Sequence, residues 1–293
     1  MRLKRQGRLP VTKKYRDLDL LPINPDLTLA IACDSCGGIG LKPLDNVKAP
    51  PQVVARLTAR VVLMEVLSSG AIPTALTAAI CCEPDPTGEA LLEGIRASMA
   101  EAGYPDLPLT ISTEKNVPTQ QTALGMTAIG MLQNKTLEAR RSRPGCHVFA
   151  AGIPKVGQEL ADDESRVADF TTLRQLLDSP EVIEIWPVGS RGILAEGRDL
   201  AAAAGGRLNL SLNNTTSLDL HKSAGTCTTL LFTSDQSSLD LTRFNVPCYA
   251  IGTIGYIGTN DSNGSIDSNG SIDSNGSIDS VGSINSCGTN AFR

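Results

Sequence analysis

The sequence predicts an α/β (α+β) fold built from two domains, and three features of the chain support this class. Apolar segments of strand length alternate with amphipathic segments of helix length along most of the sequence. With 293 residues, 41% of them hydrophobic, the chain is long enough to bury two cores. A polar stretch with three arginines and a proline, residues 137–145, interrupts the alternation and is typical of a linker.

The first domain is predicted over residues 26–136. Its first strand, Leu27 to Cys33, is apolar almost throughout, so we expect both of its faces to be covered. The strand runs into Asp34 and a glycine-rich loop. A helix follows from about Pro51 to Gly70, because proline suits a first helical turn and glycine the position just after a helix end. Further segments are a strand over 74–82, a helix over 89–102, and strands over 108–112 and 122–131.

The second domain is predicted over residues 145–258, where mixed strands and helices alternate in the same way. The chain ends differ from both domains. Residues 1–25 form a basic arm, which we expect to be solvated over residues 1–12, while Lys13, Lys14 and Arg16 are candidates for folding over phosphates. In the C-terminal segment, residues 259–293, positions 261–280 repeat Asp-Ser-Asn-Gly-Ser-Ile. One isoleucine in six residues does not offset the ordering entropy, so we predict a disordered tail.

The composition excludes several classes of function. Aromatic residues make up 3% and the net charge is −5, which argues against a nucleic-acid partner. No apolar run approaches the roughly twenty residues of a membrane span, so we expect a cytoplasmic protein without a membrane partner. The eight cysteines are interpreted as reduced thiols, because the Cys33-x-x-Cys36 pair lacks the second ligand pair of a zinc site.

Three acidic residues lie at or near the ends of predicted elements, at three separate places in the chain. Asp34 ends the first strand, Glu114 follows the strand over 108–112, and Glu65 lies on or beside the core-facing stripe of the helix. A buried ionised carboxylate costs several kcal/mol without a partner, so a metal ion or ligand is expected beside Glu65. The alternatives are a glutamate rotated to the surface and, for Glu114 and Lys115, a plain polar loop.

Small and hydroxyl-bearing residues mark two loops as candidate binding segments. Gly37, Gly38 and Gly40 let the backbone approach a ligand or take a positive φ. The second loop, residues 223–226, has the sequence Ser-Ala-Gly-Thr, which offers hydroxyl groups to a sugar or phosphate.

The order of these motifs resembles that of the AIR synthase (aminoimidazole ribonucleotide synthase) superfamily, which includes thiamine-monophosphate kinase, selenophosphate synthetase and the hydrogenase-maturation dehydratase. Its members show an Asp-Gly-Val-Gly-Thr-Lys-like loop, then Asn-Asp or Ser-Asp before Gly-Ala-x-Pro, and later Gly-Gly-Glu-Thr or Gly-Asp-Thr. Asp34 matches the first acid and Lys42 the loop lysine. Glu65 takes the place of the second acid, five residues before Gly70, and Glu114 is the best match to the third, without the glycines.

The resemblance implies a two-domain AIR synthase-like fold and an ATP- and Mg²⁺-dependent enzyme. It also implies a homodimer in which the first domains pair through their sheets. The segments 32–40, 112–116 and 222–225 look most like the α-ribazole kinase branch, which phosphorylates a nucleoside-like substrate to α-ribazole 5′-phosphate in cobalamin salvage.

The resemblance also assigns roles to individual residues. Asp34, Glu65 and Glu114 would bind Mg²⁺. The groups that would contact ATP phosphates are Gly37, Gly38, Gly40, Lys42 and Lys115. Asp34, Lys42 and Asp45 would be catalytic, with Asp45 a further ligand or a base. Two other functions remain open: an ATP-dependent cyclising or dehydrating enzyme of the same superfamily, and a non-catalytic nucleotide-binding protein.

Overall fold

A computed structural model of the chain describes residues 12–211 and 218–257. It confirms the mixed α/β class, with two main sheets and six α-helices in those ranges. The predicted arm over residues 1–11 and the predicted disordered tail from residue 259 lie outside the described residues. Among the described residues, no helix combines the length and apolar character needed to cross a membrane.

The first half of the chain supplies eight strands, of which six form one sheet. The strands are β1 (Lys13–Tyr15), β2 (Leu18–Pro22), β3 (Leu27–Gly37), β4 (Ile39–Gly40), β5 (Val47–Lys48), β6 (Ile72–Ile80), β7 (Leu109–Thr113) and β8 (Ala123–Gln133). The large sheet has the order β1-β2-β3-β8-β6-β7, and β4 and β5 form a small parallel pair. All neighbours in the large sheet are antiparallel except β6 and β7.

The helix predicted after the glycine-rich loop is confirmed as α1 (Pro51–Ser68). Proline occupies its first turn, and Gly70 adopts a φ of +83°, which only glycine takes without strain. The second helix, α2 (Glu89–Glu101), crosses α1 closely at Gly94. A Cβ atom there would lie 2.0 Å from the carbonyl oxygen of Gln52. These two helices cover one face of the first sheet.

The opposite face of the first sheet is partly open, which corrects the expectation that β3 is covered on both sides. Side chains alternate along β3: those facing α1 are buried and those on the other face are half-exposed. Leu29 and Ile31 pair across with Met131 and Ile129 on this open face. The strand also continues to Gly37, so Asp34 lies within it rather than at its end.

Residues 13–22, within the predicted basic arm, form a hairpin. The strands β1 and β2 pair antiparallel around the two-residue turn Arg16-Asp17, and β2 extends the sheet beside β3. Tyr15, Leu18 and Leu20 are buried, because their side chains point to the face that packs on the core.

The second half of the chain forms a five-stranded antiparallel sheet. Four further helices follow β8 within the described ranges. The strands are β9 (His147–Ala151), β10 (Ile185–Pro187), β11 (Gly206–Leu210), β12 (Leu230–Ser234) and β13 (Cys248–Tyr256), in the order β10-β12-β9-β13-β11. The helices are α3 (Asn134–Ala139), α4 (Gln158–Asp162), α5 (Phe170–Leu177) and α6 (Gly192–Ala203). One apolar cluster joins the two halves, because α1 packs between the first sheet and residues such as Phe170 and Phe232.

Candidate functional site

A cavity of about 570 Å³ lies between the first half of α1 and loops of the second half of the chain. Val54, Leu57 and Val61 supply an apolar wall from α1, while Gly225 and Thr226 line the cavity from the loop before β12. Binding pockets for small molecules commonly have this volume and combine apolar walls with a few polar groups. We call this cavity the cleft. It is large enough for a nucleoside-sized molecule.

Asp34 lines the cleft from β3. It follows Ala30 and Ala32 at two-residue steps, so its side chain shares the face that packs against α1. Burial raises the pKa of the Asp34 carboxyl above its ordinary value, a hydrogen bond from the Ser35 amide opposes this, and the negative charge of Asp17 adds to it. The carboxylate is therefore placed where a cation would stabilise it.

Glu65 is buried at the position that the helical periodicity predicts, with 6% of its surface exposed. Its Oε2 atom has no hydrogen-bond partner among the described residues. Burial raises the pKa of Glu65 to about 8. The charge of Arg16 acts against that rise, whereas Asp17, Glu196 and Asp34 reinforce it. The alternative of a glutamate rotated to the surface is thus excluded.

Three carboxyl groups act electrostatically on Glu65, and we call the four residues together the acidic cluster: Asp17, Asp34, Glu65 and Glu196. Sequence reasoning missed two of them. Asp17 lies in the hairpin turn, and Glu196 projects from α6, where it accepts a hydrogen bond from the Trp186 indole at 3.2 Å. The alternation Tyr15, Leu18, Leu20 was the one available signal for that hairpin.

The acidic cluster fits a divalent cation. Asp17, Glu196 and Asp34 each raise the pKa of Glu65, and the Glu65 Oε2 atom has no hydrogen-bond partner among the described residues. Over residues 12–211 and 218–257, no three His, Cys, Asp or Glu side chains are already arranged as a metal site. Mg²⁺ does not need such a cage, because it is usually held by one or two carboxylates together with phosphate oxygens and water. Asp34 and Glu65 would be those two carboxylates.

Glu114 does not join the cluster, which corrects the predicted three-carboxylate site. The register runs from Asp34 to Met126, Ala78 and Ile111, so β3 and β7 are three interstrand spacings apart. At about 4.8 Å each, these spacings amount to about 14 Å, too far for one shared ion. The Glu114 carboxylate instead accepts hydrogen bonds from the amides of Asn116 and Val117, which hold its pKa below the ordinary value. Lys115 beside it is exposed.

Lys42 is bound to the protein rather than turned toward the cleft. Its ammonium group contacts a Glu83 carboxylate oxygen at 2.5 Å and the Thr119 carbonyl at 3.1 Å. Burial would raise the pKa of Glu83, but the hydrogen bonds from Lys42 and Thr87 lower it to about 2. Lys48 is the lysine that lines the cleft.

Asp45 holds the glycine-rich loop in place and is not arranged as a base. One oxygen accepts a hydrogen bond from the Thr122 amide, and the other accepts from the Thr122 hydroxyl and the Lys42 amide, all at 2.7–2.8 Å. Burial acts to raise the pKa of Asp45, yet these hydrogen bonds keep it below the ordinary value. A carboxylate held in this way is a weak proton acceptor.

The three loop glycines have three different environments. Gly38 takes a φ of +71°, as a permissive residue should. A Cβ atom on Gly40 would lie 2.1 Å from the Thr122 hydroxyl and 2.6 Å from an Asp45 oxygen. A Cβ atom on Gly37 would meet nothing within 4 Å. Close packing by the chain itself, rather than by a ligand, explains Gly40.

These environments predict unequal effects of alanine at two neighbouring glycines. Gly40→Ala should lower the free energy of unfolding by about 2–4 kcal/mol, because the new methyl group displaces the Asp45 and Thr122 contacts. Gly37→Ala serves as the matched control and should change it by less than about 1 kcal/mol. Urea unfolding of both variants measures the difference; equal losses would contradict the packing role of Gly40.

The two sheets, with α1 packed between the first sheet and the second half of the chain and Asp34 in the wall of the cleft, form an AIR synthase-like fold. Residues 16–132 match the family "AIR synthase related protein, N-terminal domain". This match confirms the family that the motifs predicted, for the part of the chain that carries those motifs. No curated protein sequence matches the chain significantly.

Solved structures share the fold at low sequence identity. PurL of Thermotoga maritima complexed with AMPPCP has a TM-score of 0.53 at 15% identity, covering 81% of this chain and 37% of its own. Thiamine monophosphate kinase of Aquifex aeolicus has a TM-score of 0.51 at 15% identity, covering 78% of this chain and 84% of its own. The HypE–HypF complex structure gives 0.53 at 15% identity, with 83% and 88% covered. The chain therefore spans little more than a third of the PurL chain but most of the other two.

Proposed function

We propose that the protein is an ATP- and Mg²⁺-dependent small-molecule kinase that phosphorylates a primary hydroxyl of a nucleoside-like acceptor, with α-ribazole as the first candidate. The observation that carries the proposal is the cleft, with Asp34 in its wall and the unpartnered Glu65 carboxyl close enough for the two charges to interact. Similar folds support it. AMPPCP is bound in the PurL structure, and AMPPCP and TMP are bound in a structure of ThiL, the thiamine monophosphate kinase.

The chain's own residues suit this reaction in three ways. The apolar wall of α1 would bind the flat base of an acceptor or nucleotide. Asp34 and Glu65 would hold Mg²⁺, which supplies charge neutralisation for the transferred phosphoryl group. The Thr226 hydroxyl is buried without a hydrogen-bond partner among the described residues, so it is free to bind a phosphate or sugar oxygen.

The mechanism requires positioning more than proton transfer. Phosphoryl transfer passes through a loose transition state in which little covalent chemistry is left to the protein. Holding the acceptor hydroxyl in line with the donor phosphate supplies most of the acceleration. Asp45 is consequently not needed as a base, in agreement with its hydrogen bonds.

The open face of the first sheet supports the homodimer that the superfamily resemblance implies. Leu29, Ile31, Ile72, Ile129 and Met131 form a continuous apolar row there. Met131 and Ile72 expose 43% and 61% of their surfaces. A second copy of the chain packing on this row would bury it, and sedimentation of the full chain would detect the pair; a monomer at all concentrations would contradict it.

The proposed activity is tested by incubating the full chain with ATP, Mg²⁺ and a panel of nucleosides that includes α-ribazole. We expect the mass of one acceptor to increase by one phosphate group, with ADP formed in equal amount. Release of inorganic phosphate without a phosphorylated acceptor would instead indicate a cyclising or dehydrating enzyme. Binding of ATP without any turnover would indicate a nucleotide-binding protein.

A further inference from the structure

A second cavity, of about 260 Å³, lies near the far end of α1 and shares no residue with the cleft. Within residues 12–211 and 218–257, three cationic side chains and one carboxylate line it: Lys14, Arg16, Arg141 and Glu184. We call it the basic cavity. The basic cavity lies near the C-terminal end of α1, because the guanidinium of Arg16 donates a hydrogen bond at 3.0 Å to Ser68, the last residue of that helix. The concentration of positive charge is unusual in a chain whose net charge is −5.

The one carboxylate in the basic cavity is already fully used. One oxygen of Glu184 accepts a hydrogen bond from the Tyr15 hydroxyl, and the other accepts from the amide and hydroxyl of Ser142. Burial is the main reason that the pKa of Tyr15 is raised, so the phenol stays neutral. Glu184 therefore does not pair with any of the three cations through a hydrogen bond.

Arg141 lacks an ionic partner within the part of the chain that the structure describes. Its guanidinium lies over the Tyr15 ring at 5.4 Å, and Arg16 lies over the same ring at 4.9 Å. The neighbouring arginines are engaged elsewhere: Arg140 donates to the Leu177 carbonyl, and Arg143 pairs with Asp235. Arg141 is thus the member of this run that is left to face the cavity.

Lys14 is also available for a ligand. Its ion pair with Asp19 is 3.7 Å long, and both side chains are more than half exposed. Pairs of this kind contribute little and are readily exchanged. Lys14, Arg16 and Arg141 all line the same space, so the cavity offers positive charge to an anion.

We propose that the basic cavity binds the phosphoryl group of a small compound, at a site separate from the cleft. Three cations against one carboxylate suit a phosphate, which carries about −1.5 to −2 charges at neutral pH. Arginine is the side chain best matched to phosphate oxygens, because its planar donors bind two of them at once. The volume is below that of typical drug-sized pockets, so the ligand is inorganic phosphate or a small phosphate monoester rather than a nucleotide.

The test is calorimetric titration of the full chain with inorganic phosphate, glycerol 3-phosphate and acetate. Lys14→Gln and Arg141→Gln should each weaken phosphate binding by at least about tenfold, since hydrogen bonds to charged groups contribute about 1.5–3 kcal/mol. Lys13→Gln and Arg143→Gln are the matched controls, because both residues are exposed and neither lines the cavity. Their affinities should stay within about twofold of the unaltered chain.

Each outcome of the titration either supports or overturns the phosphate site. Tighter binding of inorganic phosphate would identify the free ion as the ligand, and tighter binding of glycerol 3-phosphate a monoester; both support the site. Acetate binding as tightly as phosphate, equal losses in all four variants, or binding that survives both cavity substitutions would overturn it. The absence of any phosphate binding by the unaltered chain would do the same. Melting temperatures confirm that all four variants are folded.

Discussion

Asp34→Asn is expected to reduce ATP turnover by at least about a hundredfold while leaving the protein as stable as before, or more so. The loss follows if Asp34 helps to hold the cation that neutralises the transferred phosphate, since removing one such electrostatic group typically costs about 10²–10³ in rate. The stability follows because burial raises the pKa of Asp34, which means that the folded state disfavours its charge. The measurement pairs product formation with the melting temperature.

Asp19→Asn is the matched control for this substitution. Asp19 lies on the same sheet, pairs across β2 and β3 with Ile31, and is exposed in a long ion pair. Its removal should leave both turnover and melting temperature nearly unchanged. If Asp34→Asn retained full activity, or if both variants lost activity to the same extent, Asp34 would not hold the cation.

The helix and strand positions of this fold are largely predictable from the sequence, because they depend on the backbone preferences of individual residues and on the spacing of apolar residues. The bounds of α1 follow from Pro51 and Gly70, whose backbone preferences do not depend on the rest of the chain. Helical periodicity predicts Glu65 on or beside the core-facing stripe and leaves a surface position open; the structure buries it. The strand β3 was placed correctly at its start but not at its end. Its eleven-residue pairing with β8 outweighs the tendency of the glycines to end a strand.

The parts of the site that sequence reasoning missed depend on contacts between distant segments. Glu114 follows a strand in the expected chain order, but its lateral position depends on β7 occupying the sheet edge. The spacing of apolar residues does not predict the order of strands in a sheet. Lys42 pairs with Glu83, forty-one residues away, and a lysine in a glycine-rich loop gives no sign of such a partner. Asp17 belongs to the acidic cluster because it lies in the turn of the β1–β2 hairpin. The strands of this hairpin are short, and the basic residues around them obscure the alternating pattern that would predict a strand.

The proposed metal site does not require Glu114. Two carboxylates on adjacent elements, Asp34 on β3 and Glu65 on α1, would be enough to hold Mg²⁺ if phosphate oxygens completed its coordination. Asp17 and Glu196 would then act by charge: both raise the pKa of Glu65, and a bound cation would offset that repulsion. Glu65 is the member that is easiest to test, because its buried Oε2 atom has no hydrogen-bond partner among the described residues and its pKa is raised to about 8.

Glu65→Gln should raise stability above pH 8 by several kcal/mol and remove a pH dependence that the unaltered chain shows. The folded pKa of about 8 exceeds the ordinary value of 4.5, so the folded state binds a proton that the unfolded state has released. The contribution is complete below pH 4.5, declines as pH rises, and is lost above about 8. A folded pKa that lies one pH unit above the unfolded pKa corresponds to about 1.4 kcal/mol of this contribution.

Urea unfolding between these pH limits, in the presence of a chelator, measures the effect. The difference between the unaltered chain and Glu65→Gln should grow with pH, whereas the exposed Glu138→Gln should follow the unaltered chain throughout. Added Mg²⁺ should restore stability to the unaltered chain at high pH, because a cation then replaces the proton, and should have little effect on Glu65→Gln. A pH dependence shared by both chains would mean that Glu65 is not the buried acid, and an equal response to Mg²⁺ would place the cation elsewhere.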